Sequence, residues 1–415
     1  MSAANPPRQR IALYGLFGID NFGCEATLEA MIAMMRRVRP DADLVCVCSV
    51  PERVTEDHGI PAEPIRMARF PRRWMRAIDK GLLRVPRTVA NVAGTLVRAR
   101  RADVLVICGG GMLEDYCDRP SGEPLSLFLW CLGARLARKR VAFVSVGAGP
   151  MINPASRRLL TWSVRLAHYR SYRDGRARDY MEGVGVDSRR DPVYPDVVFG
   201  LGGPSGAPAQ ANGNGHVTVG VSAMLYHGYF PAWVADGRPS DADDAVLTAY
   251  LGKLAEFVCR LLDEGHDVRL LTGQLNDRDA VDRLRAIVAA TRGEDPGDRL
   301  VAEPITSADG LADQIARTDV VVATRYHNLV GALVQGKPAI AVDPTRKNGG
   351  LMTDLGLAHL CQDIDDLDVA LLEAQFHEVV GERAPYAARL RDLNARIAER
   401  LADQERVLAA GVLRP

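Results

Sequence analysis

Short apolar runs alternate with longer amphipathic stretches along this chain of 415 residues. RIALYGL (10–16), DLVCVCSV (43–50), DVLVICGG (103–110), RVAFVSVG (140–147) and VYPDVVFG (193–200) are apolar almost throughout. Such runs predict strands buried on both faces, the mark of parallel sheets covered by helices. Helical periodicity lies between them, as in EATLEAMIAMMRRV (25–38) and SLFLWCLGARLARK (126–139). LGGPSGAPAQANGNG (201–215) then has neither period nor charge and reads as a linker. The alternation restarts with HVTVGVSA (216–223), HDVRLLTG (266–273), DVVVATR (319–325) and KPAIAVD (337–343), with a helix over 247–265 and a long amphipathic one over 388–411. The pattern predicts an α/β protein: two Rossmann-like, doubly wound parallel-sheet domains, 1–200 and 216–415, joined by 201–215 and facing a cleft. Ligands of open α/β sheets bind beyond the carboxyl ends of the strands, so the residues just after each strand carry the functional information.

Composition narrows the class. Hydrophobic content is 47%, charged content 25% and net charge zero, which gives no case for a nucleic-acid partner. The charge is uneven, however: Arg66–Arg101 holds eleven Lys/Arg against the single acid Asp79, interleaved with Phe70, Trp74, Ile78, Leu82 and Leu83. This basic amphipathic segment is a candidate for peripheral contact with an anionic membrane surface. Eight cysteines include no C-x-x-C and no zinc spacing, and several lie inside apolar runs. They read as buried free thiols of a cytoplasmic protein. MSAANPPRQR has no apolar core of a signal peptide, and no apolar run approaches the ~20 residues that span a bilayer.

At the strand ends, Gly15, Gly18 and Gly23 precede a helix carrying Glu25, an arrangement that fits either an anion-binding helix start or a plain tight turn. The spacing is not G-x-G-x-x-G and no acid ends the second strand, so a dinucleotide site is unsupported. Gly109, Gly110 and Gly111 end the third run and let a ligand approach the backbone; Glu114 and Asp115 follow. Glu114 reads as an acid at a helix start, whereas Asp115 is a candidate to orient or deprotonate a hydroxyl. Arg173 precedes Asp174, an expected N-cap, at a strand-to-helix switch. In the second half Arg325 and His327 end one run, and Arg346 and Lys347 follow the next. Cations at adjacent tips suit a small ligand bearing phosphate and carboxylate, and His327 can donate a proton.

Together, G-x-x-G-x-D-N-F-G-x-E at 15–25, GGG-x-L-x-D at 109–115, S-x-R-D at 171–174, and R-x-H, G-K-P and a lysine over 325–347 resemble the polysaccharide pyruvyltransferases. The resemblance covers nearly the whole chain. It implies a GT-B-like pair of domains and transfer of a pyruvyl group from phosphoenolpyruvate to sugar hydroxyls of a glycan or its precursor, leaving a pyruvate ketal and phosphate. It places phosphoenolpyruvate on Arg173, His327 and Lys347 with Arg325 beside them. It puts the acceptor near Asn21, Glu25, Gly110, Gly111 and Asp115, and gives His327 and Asp115 the catalytic roles. No metal and no cofactor is expected beyond phosphoenolpyruvate as co-substrate; the partner is a sugar acceptor, a lipid-linked one if the basic segment meets a membrane. Two departures fall on the acceptor side. Cys24 stands where the family often has an acid, and SAMLYHGYFPAW lacks the arginine common after the linker strand. The alternatives are a GT-B-like glycosyltransferase using a nucleotide sugar and a non-catalytic anion- or glycan-binding relative.

Overall fold

A computed structural model describes residues 8–66, 85–115, 119–202, 216–226, 240–294 and 296–414. Most of the linker and most of the basic segment, including Phe70, Arg72, Arg73, Trp74 and Arg76, lie outside the described residues, as does Cys117. The chain forms two compact units. The first comprises residues 1–19, 27–197 and 400–415; the second comprises 20–26 and 198–399. The expected division at 201–215 therefore has two additions: a short segment near the start packs with the second unit, and the last residues pack with the first.

In the first unit, β1 (Arg10–Tyr14), β2 (Asp43–Cys48), β3 (Ala62–Pro64), β4 (Val104–Cys108), β5 (Arg140–Val146) and β6 (Tyr169–Tyr172) form a parallel sheet in the order β3-β2-β1-β4-β5-β6. The helices between them are α1 (Phe22–Val38), α2 (Pro51–His58), α3 (Val85–Ala99), α4 (Glu123–Leu136) and α5 (Pro154–Arg165), and α6 (Gly175–Gly183) follows β6. β4 is buried at every position, as its continuous apolar sequence requires. The core centres on Tyr14 and Trp130, packed edge to face at 6.2 Å. Their polar ends are satisfied, Tyr14 Oη donating to Glu123 and Trp130 Nε1 to the Ile65 carbonyl, which removes the cost of burying them. Burial first, and the Glu123 carboxylate second, push the Tyr14 hydroxyl well above its ordinary pKa.

In the second unit, β7 (Thr218–Ser222), β8 (Asp267–Leu271), β9 (Leu300–Val301), β10 (Val320–Ala323), β11 (Ala339–Asp343) and β12 (Cys361–Asp363) are ordered β12-β11-β10-β7-β8-β9. Counted from its own first strand, this is the same 3-2-1-4-5-6 winding as the first unit, so each sheet reverses direction once: between β1 and β4, and between β7 and β10. Its helices are α7 (Asp241–Asp263), α8 (Arg278–Arg292), α9 (Ala308–Ala316), α10 (Tyr326–Val334), α11 (Lys347–Asp354), α12 (Val369–Gly381) and α13 (Arg383–Ala410), of which the residues from 400 onward belong to the first unit. Ser240 and Asp243 close a reciprocal capping box on α7. Among the described residues no helix is long and apolar enough to cross a membrane.

One expected strand is absent. Residues 193–200 contribute a single parallel bridge, Val193 to Tyr172, and Val197–Leu201 winds into a 3-10 helix. Pro192 precedes the stretch and Pro195 lies within it, and neither offers an N–H to a ladder. The sixth strand is the more polar Tyr169–Tyr172, the segment that carries the Ser-x-Arg-Asp motif.

Candidate functional site

In the first unit the loops after β4 and β5 are zipped together by backbone. Gly147 N–H donates to the Gly110 carbonyl (2.7 Å), Leu113 N–H to Gly147 and Gly149 N–H to Leu113. Gly110 has φ +62°, a conformation open to glycine at no steric cost. Gly147 lies under the Arg173 guanidinium: a Cβ there would sit 2.7 Å from Arg173 Cζ. Arg173 is buried, with Nε 3.4 Å from Asp174 and Nη1 3.6 Å from the fully buried Asp196. Asp174 caps α6 as expected, accepting from Ala177 N–H at 2.7 Å. Asp115 is also buried, and its two oxygens each take a backbone N–H, from Ile152 (2.7 Å) and Asn153 (2.8 Å), just ahead of α5. The carboxylate thus holds the loop after β5, and one lone pair on each oxygen is left for other donors. No helix starts at Glu114; its carboxylate packs where a Cβ on Gly149 would lie.

Arg173 is aimed by an irregularity in the sheet. The β5–β6 register shifts between Phe143 and Val146, where Ser145 takes φ +47°. The distorted strand is held by a buried polar cluster. Ser145 N–H donates to Ser171 Oγ (2.9 Å), and the Gln404 amide, fully buried on α13, donates to both Ser145 Oγ (2.9 Å) and Ser171 Oγ (3.0 Å). Bulges of this kind re-aim a side chain; here the following Val146 carbonyl accepts from Arg173 N–H.

The second unit gathers the other half of the expected residues. Asn21 caps α1: its Oδ1 accepts from Gly23 N–H (3.1 Å) and Cys24 N–H (3.2 Å), and its Nδ2 reaches Gln274. Two N–H groups of that helix start are therefore already engaged. Glu25 lies in the same first turn. Phe22 N–H donates to the Gly273 carbonyl and Leu275 N–H to the Asp20 carbonyl, fastening 20–26 to the tip of β8. Gly23 faces His327 so closely that a Cβ would stand 1.9 Å from the imidazole Nδ1. His327 also meets the Tyr326 ring edge to face at 5.2 Å.

Arg325 ends β10 and is paired with Asp277, which is wholly buried: Nε to Oδ2 is 2.9 Å and Nη2 to Oδ1 is 2.6 Å. Gly273 makes room for its stem, since a Cβ there would lie 2.6 Å from Arg325 Cγ. On the next strand, Asp343 accepts from Thr345 N–H and Gly349 N–H, and buried Asn348 bonds the Thr324 and Val342 carbonyls, tying the tips of β10 and β11 together. Between them Arg346 adopts φ +64° and hands over to Lys347 at the start of α11. A left-handed arginine is sterically costly and is sustained only where its surroundings fix it.

The structure thus brings Arg325, His327 and Lys347, with Asn21 and Glu25, into the second unit, and places Arg173, Gly110, Gly111 and Asp115 in the first. Asp277, Gly273, Asp343 and Gln404 escaped sequence reasoning. Asp277 and Gly273 follow the strand at 266–273, so the strand-tip rule had pointed at their neighbourhood. Elsewhere, Glu264, Glu373 and His377 have ligand atoms within 4.8 Å of one another, but Glu373 is paired with Arg260 and His377 with Glu264, which makes the group a charge network. Among the described cysteines none forms a disulfide; burial pushes the thiol of Cys361 up to about 12.

The solved structures similar to this chain share its two-domain architecture at low identity. HepE (Alr3699) of Anabaena, solved in complex with UDP, is 14% identical, with 97% of this chain and 98% of that one covered and a TM-score of 0.59. A glycosyltransferase of Rickettsia africae is 8% identical (98% and 99% covered, TM-score 0.58). A putative UDP-N-acetylglucosamine 2-epimerase of Listeria monocytogenes is 11% identical (92% and 91% covered, TM-score 0.56). At these identities the likeness concerns the fold: two Rossmann-like domains of the GT-B kind. Sequence is more specific. Residues 21–346 match the family model for polysaccharide pyruvyl transferase, a span that takes in the α1 cap, the glycine loops, Arg173, the β10 tip and Arg346. The chain belongs to the polysaccharide pyruvyl transferase family.

Proposed function

We propose that the protein moves the pyruvyl group of phosphoenolpyruvate onto two hydroxyls of a sugar, forming a cyclic ketal and releasing phosphate. The observation that carries this reading is the pair of hydrogen-bonded neighbours β10 and β11, whose tips present Arg325, His327, Arg346 and Lys347 in one unit. A ligand with phosphate and carboxylate matches such a set, because guanidinium and ammonium groups form strong charge-assisted bonds with both. His327 delivers a proton to C3 of the enol, and C2 gains oxocarbenium character. A sugar hydroxyl adds at C2 and loses its proton to a carboxylate, for which Asp115 or Glu25 is the candidate. The C2–O bond to phosphate breaks, the phosphate leaving with the proton held by that carboxylate, and a second hydroxyl closes the ketal at C2 and returns its proton to His327.

A second reading, nucleotide-sugar glycosyl transfer, draws support from HepE, whose structure holds UDP. Thermal stability separates the two, because a ligand stabilises the folded chain by mass action without needing the acceptor. Phosphoenolpyruvate is expected to raise the melting temperature of the wild-type chain and to lose that effect in Lys347→Ala. A shift with UDP alone would move the assignment to the second reading.

A further inference from the structure

We infer that Asp277 is a positioning residue: it fixes the Arg325 guanidinium at the second unit's sheet reversal and so sets the direction from which the anionic donor is received. This rests on the donor site proposed above. Four donors converge on the two Asp277 oxygens. Oδ1 takes Arg325 Nη2 (2.6 Å) and Leu225 N–H (3.2 Å); Oδ2 takes Arg325 Nε (2.9 Å) and Gly273 N–H (3.3 Å). A carboxylate has about four lone-pair sites, so these contacts use its capacity and leave no place for an acid–base role. The donors come from three strand ends, after β7, β8 and β10, and β7 and β10 are the strands between which the winding reverses. That is where ligands of such sheets bind.

The pair is fork on fork, which fixes the guanidinium plane as well as its position. On its other flank the Arg325 stem presses on Gly273, where even a methyl group would collide. The arrangement rests on a second buried layer: Asn328 Nδ2 donates to Ser222 Oγ, which meets Thr324 Oγ1 at 3.0 Å. Because Asp277 cancels its charge, Arg325 supplies direction. The consequence is specific. A lysine at 325 keeps the charge and loses the fork, so it behaves as a loss.

The test is calorimetric titration of phosphoenolpyruvate, UDP and inorganic phosphate into the full-length wild-type chain, Asp277→Asn, Arg325→Gln, the double variant and Arg325→Lys. Asp277→Asn is expected to bind phosphoenolpyruvate roughly 10–100-fold more weakly. The double variant is expected to bind no more weakly than Arg325→Gln, because Asp277 acts through Arg325. A merely structural aspartate would instead give losses that multiply, and that result overturns the proposal, as does wild-type affinity in Asp277→Asn. Arg325→Lys leaves Asp277 in place and guards against a misfolded Asp277 variant; full affinity there also overturns the proposal. Binding of UDP but not phosphoenolpyruvate removes the donor assignment, and the same comparisons made with UDP then decide the role of Asp277. Binding of none of the three anions by the wild type overturns both.

Discussion

The two units wind their strands in the same order and aim an arginine from a strand end, yet they build those ends differently. In the first, Arg173 leaves the edge strand β6 and is steered by a strained turn of backbone, with Gly147 beneath it and Asp174 and Asp196 at 3.4 and 3.6 Å. In the second, Arg325 leaves the central strand β10, and Asp277 grips it through two short bonds. Each arginine lies against a glycine, but the first is aimed by a distorted strand and the second by a fork of side-chain bonds. Duplicated topology therefore supplies equivalent strand ends, while local packing decides which of them carries the arginine and whether backbone or side chain aims it.

The sharpest way to strain this comparison is to remove a glycine on which the second unit depends. Gly23→Ala places a methyl group against the His327 ring. Turnover, followed as phosphate release from phosphoenolpyruvate, is expected to fall by about 10²–10⁴-fold, the usual worth of general acid–base help. Stability should fall as well, because overpacking costs about 1–3 kcal/mol and outweighs what Ala gains as a helix former. Undiminished turnover would detach His327 from its assigned role. A smaller effect is expected in the first unit. Gln404→Leu strips the Ser145 and Ser171 hydroxyls of their amide partner, and leaving buried polar groups unsatisfied costs about 1–3 kcal/mol. Denaturant unfolding measures it, and an unchanged midpoint would show that the bulge holds itself.

The smallest effect concerns a feature both units share. His168 Nδ1 accepts from Val141 N–H ahead of the first sheet, and His266 Nδ1 accepts from Val217 N–H ahead of the second. Burial depresses the pKa of each; Arg135 and Arg140 add to this around His168, and Arg299 does so around His266, where Glu264 opposes it. With the folded value below the unfolded one, the unfolded chain takes up protons first. Stability should be full above roughly pH 6.5 and decline as pH falls from there toward the folded value. His266→Asn keeps an acceptor and removes the titration, so its unfolding free energy should lose part of that slope. The more exposed His168 should matter less; equal slopes in His266→Asn and wild type would count against the account.

Much of the fold was legible because strands buried on both faces write themselves as unbroken apolar runs; β1, β2, β4, β5, β7, β8, β10 and β11 all lie within such runs. The short outer strands β3, β9 and β12 were not, since two or three half-covered residues leave no period to detect. Val193–Gly200 misled because apolar content mimicked a strand while the prolines at 192 and 195 denied it the donors. In the site, Arg325, His327 and Lys347 stood out because a cation after a buried run is rare. Asp277 did not, as an aspartate in a polar loop looks like any solvated one until three strand ends close around it. Gln404 was hidden for a similar reason, set among the charges of an amphipathic helix.

The closing stretch of the first unit has a consequence for how the molecule is made. Residues 400–415 bring fully buried Gln404, Leu408 and Leu413 to a unit whose other members end at Val197. Everything the second unit needs is synthesised before them, because both its pieces, 20–26 and 198–399, precede residue 400. Domains fold as units while the chain grows. Of the two, the unit begun first is thus the one finished last, and during translation its sheet waits, short of its final cover, until the second unit is already complete.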